Sequence, residues 1–196
     1  MENTSHTNKP KPVTLVPESA ASQQVRNRVM SILKQMNLKN VLILGSSGMI
    51  GRLVLEECTK REDVQKITSI TRKPSGIKHE KLVEVIHDDF LNYAAIEEHL
   101  KNQDVCFYCI GVYTGQVPTE EFKKITVDYT KAFADALKRN SSNAVFCFLS
   151  GQGADSTEKS NVLFSKQRGV AEKYLLNSCP SITFTAGKGL TIFSAL

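Results

Sequence analysis

The chain has 196 residues, 41% hydrophobic and 23% charged, proportions that exclude a wholly disordered or fibrous protein. That length suits one domain plus a tail. The net charge of +5 comes from 25 basic and 20 acidic side chains, and with a pI near 8.9 it is too mild to make nucleic acid the leading expectation. No apolar run approaches the roughly 20 residues of a membrane span, and the polar start, Met1 to Pro10, carries no apolar core of a secretory signal. Five cysteines, an odd number without framework spacing, point to reduced thiols and a cytoplasmic location.

Residues 1–18, rich in Thr, Asn, Lys and Pro, read as a disordered polar tail. From 19 to 38, Val25, Val29, Ile32, Leu33 and Met36 make one helical stripe, with Arg26, Arg28 and Lys34 off it. The Gln24–Leu38 stretch is therefore expected to be an amphipathic helix, packed on the domain that follows or docking a protein partner or an anionic surface. The main domain takes 39–196. Val41–Gly45 is a short apolar run of the kind buried on both faces of a parallel sheet. Ile50–Lys60 has helical periodicity, Lys66–Thr71 reads as a strand stopped by Lys73-Pro-Ser-Gly76, and Leu82–His87 alternates as a third strand. A short helix over Tyr93–Leu100, a buried strand over Val105–Ile110 and a long helix over Thr119–Arg139 follow. That long helix carries Phe122, Ile125, Tyr129, Phe133 and Leu137 along one side. A fifth strand over Ala144–Leu149, a helix over Leu163–Leu176 and a sixth strand over Ser181–Thr185 complete the order. Such alternation predicts an α/β fold, a doubly wound parallel sheet in three layers, because parallel strands need crossovers of one hand.

Gly45-Ser46-Ser47-Gly48-Met49-Ile50-Gly51 lies where the first strand meets the first helix. Glycines in that place allow a tight turn, a close approach of phosphate to backbone, and tight helix–strand packing. Free N–H groups and the helix dipole then hold a pyrophosphate. The Gly-x-x-Gly-x-x-Gly spacing resembles the short-chain dehydrogenase/reductase superfamily, especially its extended and atypical branches. Phe148-Leu-Ser150-Gly-Gln-Gly-Ala-Asp155 and Lys166-Gln-Arg168-Gly169-Val-Ala-Glu172 resemble the Tat-interacting-protein-like oxidoreductases, an atypical branch that binds NADP. The similarity runs from about Asn40 to Phe184 and implies a Rossmann fold with a nicotinamide dinucleotide cofactor.

NAD-specific sheets place an acid about 20 residues past the loop, on the ribose 2′-hydroxyl. Here Thr71-Arg72-Lys73 occupies the end of the second strand. Arg72 is suited to clasp a 2′-phosphate, with Lys73 adding charge, so NADP(H) is expected over NAD(H). After the third strand the resemblance implies that Asp89 accepts a bond from the adenine amino group and that the backbone amide of Phe90 meets the ring; the two acids Asp88 and Asp89 serve equally as helix caps. Cys109 and Gly111 end the fourth strand, where the family runs backbone beneath the ribose.

In the superfamily a Tyr passes the proton, a Lys four residues later holds the nicotinamide ribose, and a Ser on the fifth strand orients the substrate. Ser150 stands in the serine position, but Phe164 falls in the Tyr position and Arg168 in the Lys position. Phe164 has no proton to give, and an arginine pKa above about 12 makes Arg168 no proton carrier at neutral pH. Tyr113, after the fourth strand, is a substitute acid or plain packing. The chain ends at Leu196, soon after the sixth strand, where the family adds elements that close the substrate pocket; a shortened relative or an incomplete product is expected. Cys106-x-x-Cys109 lies within a strand and points to opposite faces, which suits core packing. The four histidines lack ligand spacing. No nucleophile elbow and no P-loop ending is present. Two readings remain: an NADP-dependent oxidoreductase acting on a carbonyl or alcohol, or an NADPH-binding regulator or scaffold without turnover.

Overall fold

The computed structural model describes residues 39–150, 153–178, 185–187 and 190–193, together with Gln23, Asn27, Ser31 and Lys34. The expected tail over 1–18 lies outside the described residues, as does most of the expected helix over 19–38; its four described positions are helical, and Gln23 Nε2 donates to Asn27 Oδ1 at 3.1 Å.

Five parallel strands build the sheet: β1 (Asn40–Leu44), β2 (Lys66–Thr71), β3 (Leu82–Ile86), β4 (Val105–Tyr108) and β5 (Val145–Phe148). Each side chain's face follows from the two-residue period of a strand. Val41 and Ile43 of β1, Val105 and Phe107 of β4 and Cys147 of β5 join one core layer, under helix α1 (Met49–Thr59). Leu42, Leu44, Cys106, Tyr108, Phe146 and Phe148 join the other. That second layer lies beneath the helices after β4 and β5. Both faces are covered, and β1 is apolar from Val41 to Leu44 because neither face meets water there. The crossover order runs β3-β2-β1-β4-β5, so the chain reverses direction across the sheet between β1 and β4. Asp104 fixes the entry to β1, its Oδ2 accepting from the amides of Lys39 and Asn40 at 2.8 and 2.7 Å.

Three elements differ from expectation. The turn at Ala94–Leu100 is a 3₁₀ helix, kinked where Ile96 adopts φ −126°, rather than an α-helix. The long helix is interrupted: α2 (Thr119–Lys123) passes through a π turn (Lys124–Asp128) into α3 (Tyr129–Asn140), and the Tyr129 amide bonds back to the Lys124 carbonyl. The helix α4 runs over Leu163–Ser178. Finally, the sixth strand was expected over Ser181–Thr185, a range that falls mainly outside the described residues. Beyond β5 the sheet is continued by β7 (Leu190–Phe193), antiparallel to β5, with β6 (Thr185–Gly187) antiparallel to β7 at the edge. The wholly parallel sheet of the sequence reading is therefore parallel only over β1–β5.

Candidate functional site

A cleft of about 210 Å³ opens at the carboxyl ends of β1, β2 and β4. In open α/β sheets ligands enter where the strand order reverses, because there the flanking loops part. The glycine turn forms its floor. Gly45 has φ +81°, the left-handed region that an L side chain rarely enters, and a Cβ there would meet the Cys109 carbonyl at 3.1 Å. At Gly51 an added Cβ would fall 2.1 Å from the Gly45 carbonyl oxygen. The first turn of α1 thus lies directly on the loop that precedes it. Gly48 begins α1 in an extended conformation with no side-chain cap, and no acidic residue occupies the first turn. The helix start therefore offers its dipole to an anion without competition.

Hydroxyls tie the loop to β2. Ser46 is fully buried and shares a 2.6 Å hydrogen bond with Ser69, while Thr71 Oγ1 donates to the Lys73 carbonyl at 2.9 Å and lies 3.3 Å from Ser47 Oγ. Gly45, Ser47, Gly48, Arg72, Phe90, Cys109 and Gly111 all line the cleft. Ser46, Met49, Ile50, Gly51 and Lys73 shape or flank it without lining it. Burial pushes the Cys109 thiol up to about 12, so that group presents a neutral S–H.

At the third-strand exit Asp88 lines the cleft, and Asp89 does not. Asp89 is turned outward, where its Oδ1 accepts from the Leu91 amide at 3.1 Å. Asp89 closes a local turn onto the Leu91 amide and does not cap the helix over Ala94–Leu100, which has no side-chain cap, while Asp88 faces the cleft. Phe90 is buried and packs on Tyr129 with ring centroids 5.5 Å apart. The sequence reading missed one wall. Glu121, Ile125 and Tyr129 come from α2, the π turn and α3 and line the cleft. Ile125 and Tyr129 stand on the apolar side of the long helix in the sequence, and only the four-residue spacing from Glu121 hints that the same line reaches the cleft.

Arg168 lies beside Gly111 and bonds the backbone just before Ser150, and neither Arg168 nor Ser150 lines the cleft. Arg168 is only 7% exposed; its Nη1 donates to the Leu149 carbonyl at 3.0 Å, and its Nη2 would lie 2.8 Å from a Cβ at Gly111. The guanidinium carbon sits 5.4 Å from the Phe148 ring centroid and 5.8 Å from that of Phe164. Burial lowers its pKa, opposed by Tyr108 and Glu172. Arg168 Nε and Ser150 Oγ are buried without a hydrogen-bond partner, an arrangement that protein interiors rarely tolerate. The segment before α4 is clipped to it: a Cβ on Gly169 would fall 1.9 Å from the Asp155 carbonyl oxygen, and Asp155 accepts from the amides of Thr157 and Ser160. Tyr113 stands apart, 69% exposed on the loop after β4, next to cleft-lining Val112. Among the described residues no cluster of His, Cys, Asp and Glu could hold a metal ion, and no helix is long and apolar enough to cross a membrane.

Strand order, glycine turn and cleft together define a dinucleotide-binding domain of the Rossmann type. The NAD(P)H-binding family model matches residues 45–178, and the chain belongs to that family, among the atypical short-chain dehydrogenases/reductases. It is similar to Protein HTATIP2 of Rattus norvegicus, 27% identical over 141 residues, covering 70% of this chain and 57% of that protein. It is also similar to a decarboxylating sterol-4-alpha-carboxylate 3-dehydrogenase of Dictyostelium discoideum, 22% identical over 170 residues, covering 74% of this chain and 50% of that protein. The chain thus spans about half the length of the curated relatives it matches. Among solved structures, uronate dehydrogenase from Agrobacterium tumefaciens aligns with a TM-score of 0.60 at 15% identity, covering 74% of this chain and 57% of that one.

Proposed function

We propose that this chain is an NADP(H)-binding oxidoreductase acting on a carbonyl or alcohol substrate. The observation that carries the reading is the cleft itself. Gly45, Gly48 and the uncapped start of α1 border one side, and Arg72 stands at the end of β2 with no acid beside it on that strand. The close approach between Gly51 and Gly45 shows backbone packed so tightly that only glycine fits, and such packing is what a pyrophosphate cradle requires.

In this reading the amides at the start of α1 hold the pyrophosphate, and the Arg72 fork takes the 2′-phosphate with Lys73 adding charge. Asp88 accepts the adenine amino group and Phe90 packs on the ring. Backbone at Cys109 and Gly111 borders the ribose, and Arg168 donates to its hydroxyls. When bound, the nicotinamide exchanges hydride with the substrate carbon. Ser150 orients the substrate oxygen, and water or the exposed phenol of Tyr113 provides the proton that Phe164 lacks. A reducing, cytoplasmic setting suits the three buried thiols Cys58, Cys106 and Cys147 and the free, partly buried Cys109.

The deciding experiment is calorimetric titration of the protein with NADPH and with NADH, repeated on Arg72→Ala. Micromolar NADPH binding at least tenfold tighter than NADH, with the difference abolished in Arg72→Ala, is the expected result. Equal affinities in the unmodified protein overturn the NADP preference, and no binding of either overturns the reading. One observation favours a second reading, a regulator that binds the dinucleotide without turnover: Phe164 sits beside Arg168 where the superfamily places its tyrosine.

A further inference from the structure

The turn that presents Asp88 and Phe90 to the cleft is held by one side chain. His87 Nε2 lies 2.8 Å from the Asp89 carbonyl oxygen and 3.0 Å from the Asn92 carbonyl oxygen. Both are acceptors, so Nε2 carries the hydrogen and shares it between them. The imidazole lies against Tyr93, with centroids 5.4 Å apart, and meets Phe90 edge-on at 6.1 Å. Its own amide donates to the Thr71 carbonyl at 3.0 Å, continuing the β2–β3 ladder into the turn. The ring is therefore anchored on the sheet while its nitrogen closes the loop over 89–92. Asp88 and Phe90 flank the first of the two carbonyls it grips. Asp88 is exposed and makes no contact of its own that would fix it to the turn, so its aim depends on the backbone around it.

We propose that His87 is the positioning residue of the base-binding end of the cleft, setting discrimination for the adenine ring through the backbone that carries Asp88 and Phe90. This rests on the dinucleotide reading given above, and it assigns His87 no contact with the ligand. Two properties of the side chain separate: the Nε2–H donor and the aromatic ring. His87→Phe keeps a ring against Tyr93 and removes the donor. His87→Gln keeps an amide donor and removes the ring.

The test compares NADPH with its hypoxanthine analogue, which lacks the amino group that Asp88 accepts. The unmodified protein is expected to bind NADPH at least fivefold tighter than the analogue. His87→Phe reduces that ratio to within twofold of one, and His87→Gln retains most of it. A uniform loss of affinity for both ligands with the ratio preserved in His87→Phe marks a merely structural role and overturns the proposal. So does a ratio near one in the unmodified protein. If the unmodified protein binds neither ligand, the dinucleotide reading itself has failed, which is a different result. A measurement that needs no variant accompanies these: the long-range ¹H–¹⁵N spectrum of His87 is expected to show protonated Nε2, and a neutral ring protonated only at Nδ1 overturns the proposal even where a variant does not fold.

Discussion

At Gly51 the obstacle to any larger residue is backbone on both sides: the Gly45 carbonyl oxygen at 2.1 Å, its carbon at 2.7 Å and the Ser46 Cα at 2.9 Å. No rotamer change relieves such a contact, so Gly51→Ala must shift the start of α1 away from the turn. Overpacking of this kind costs about 1–3 kcal/mol, occasionally more. The expected outcome is a lowered denaturation midpoint together with at least a tenfold loss of dinucleotide affinity. Gly76→Ala is the control. It has left-handed strain, at φ +76°, which Gly51 lacks, but a Cβ there meets nothing within 4 Å, so it is expected to lose stability alone. Retention of full affinity in Gly51→Ala would refute the packing argument. The glycine turn was legible in the sequence because its demand is steric and absolute. The choice between Asp88 and Asp89 was not: consecutive residues at a strand exit face opposite ways, and the turn held by His87 decides which of them reaches the cleft.

At the scale of elements, α4 carries Phe164 and Arg168, which the resemblance sets in the Tyr and Lys positions, one helical turn apart on the same side. Their proximity was foreseeable from the four-residue spacing. The burial of Arg168, and its bond to the Leu149 carbonyl, required the sheet. Phe164 is half-buried with its ring 5.8 Å from the Arg168 guanidinium carbon, so a hydroxyl added to that ring has room without disturbing the core. Phe164→Tyr is expected to fold normally and to raise turnover of simple ketones with NADPH by about 10²-fold or more, the range of a positioned acid. Activity in the natural protein that does not change with this substitution would show that its proton takes another route. The strands β1–β5 were placed by apolar runs and alternation to within a residue or two. The 3₁₀ turn at 94–100 was not distinguishable from an α-helix, because Ile96 and Leu100, the residues it buries, sit at a four-residue spacing that fits either. Leu190–Phe193 escaped notice as a strand because four residues carry too little period.

Among the described residues four thiols belong to the two core layers: Cys58, Cys147 and the partly buried Cys109 on the α1 side and Cys106 on the other. Burial pushes Cys58 and Cys109 up to about 12 and raises Cys106 and Cys147 as well. The fold thus favours the protonated thiol. That contribution is complete below the ordinary value of 9.0 and is lost as pH rises through the folded-state values. Unfolding free energy is expected to fall between pH 9 and 12, by as much as about 1.4 kcal/mol per pH unit for each thiol. Denaturant titrations at pH 8, 9.5 and 10.5 check this, with Cys58→Ala expected to flatten the slope. A flat profile over that range would contradict the burial seen here.

The π turn at Lys124–Asp128 has a consequence for the wall it helps to build. A regular α-helix advances about 100° per residue, so positions eight apart drift by roughly 80° around the axis. The wider turn absorbs that drift and leaves Glu121, Ile125 and Tyr129 along a single line facing the cleft. It acts as a vernier between two gauges. Downstream of it, Phe133 and Leu137 keep step with the core; upstream, Glu121 keeps step with the ligand space. Were the five to relax to an even α pitch with no residue lost, the upstream segment would swing by about 80°, carrying the Glu121 carboxylate out of the cleft while every core contact of α3 stayed in place.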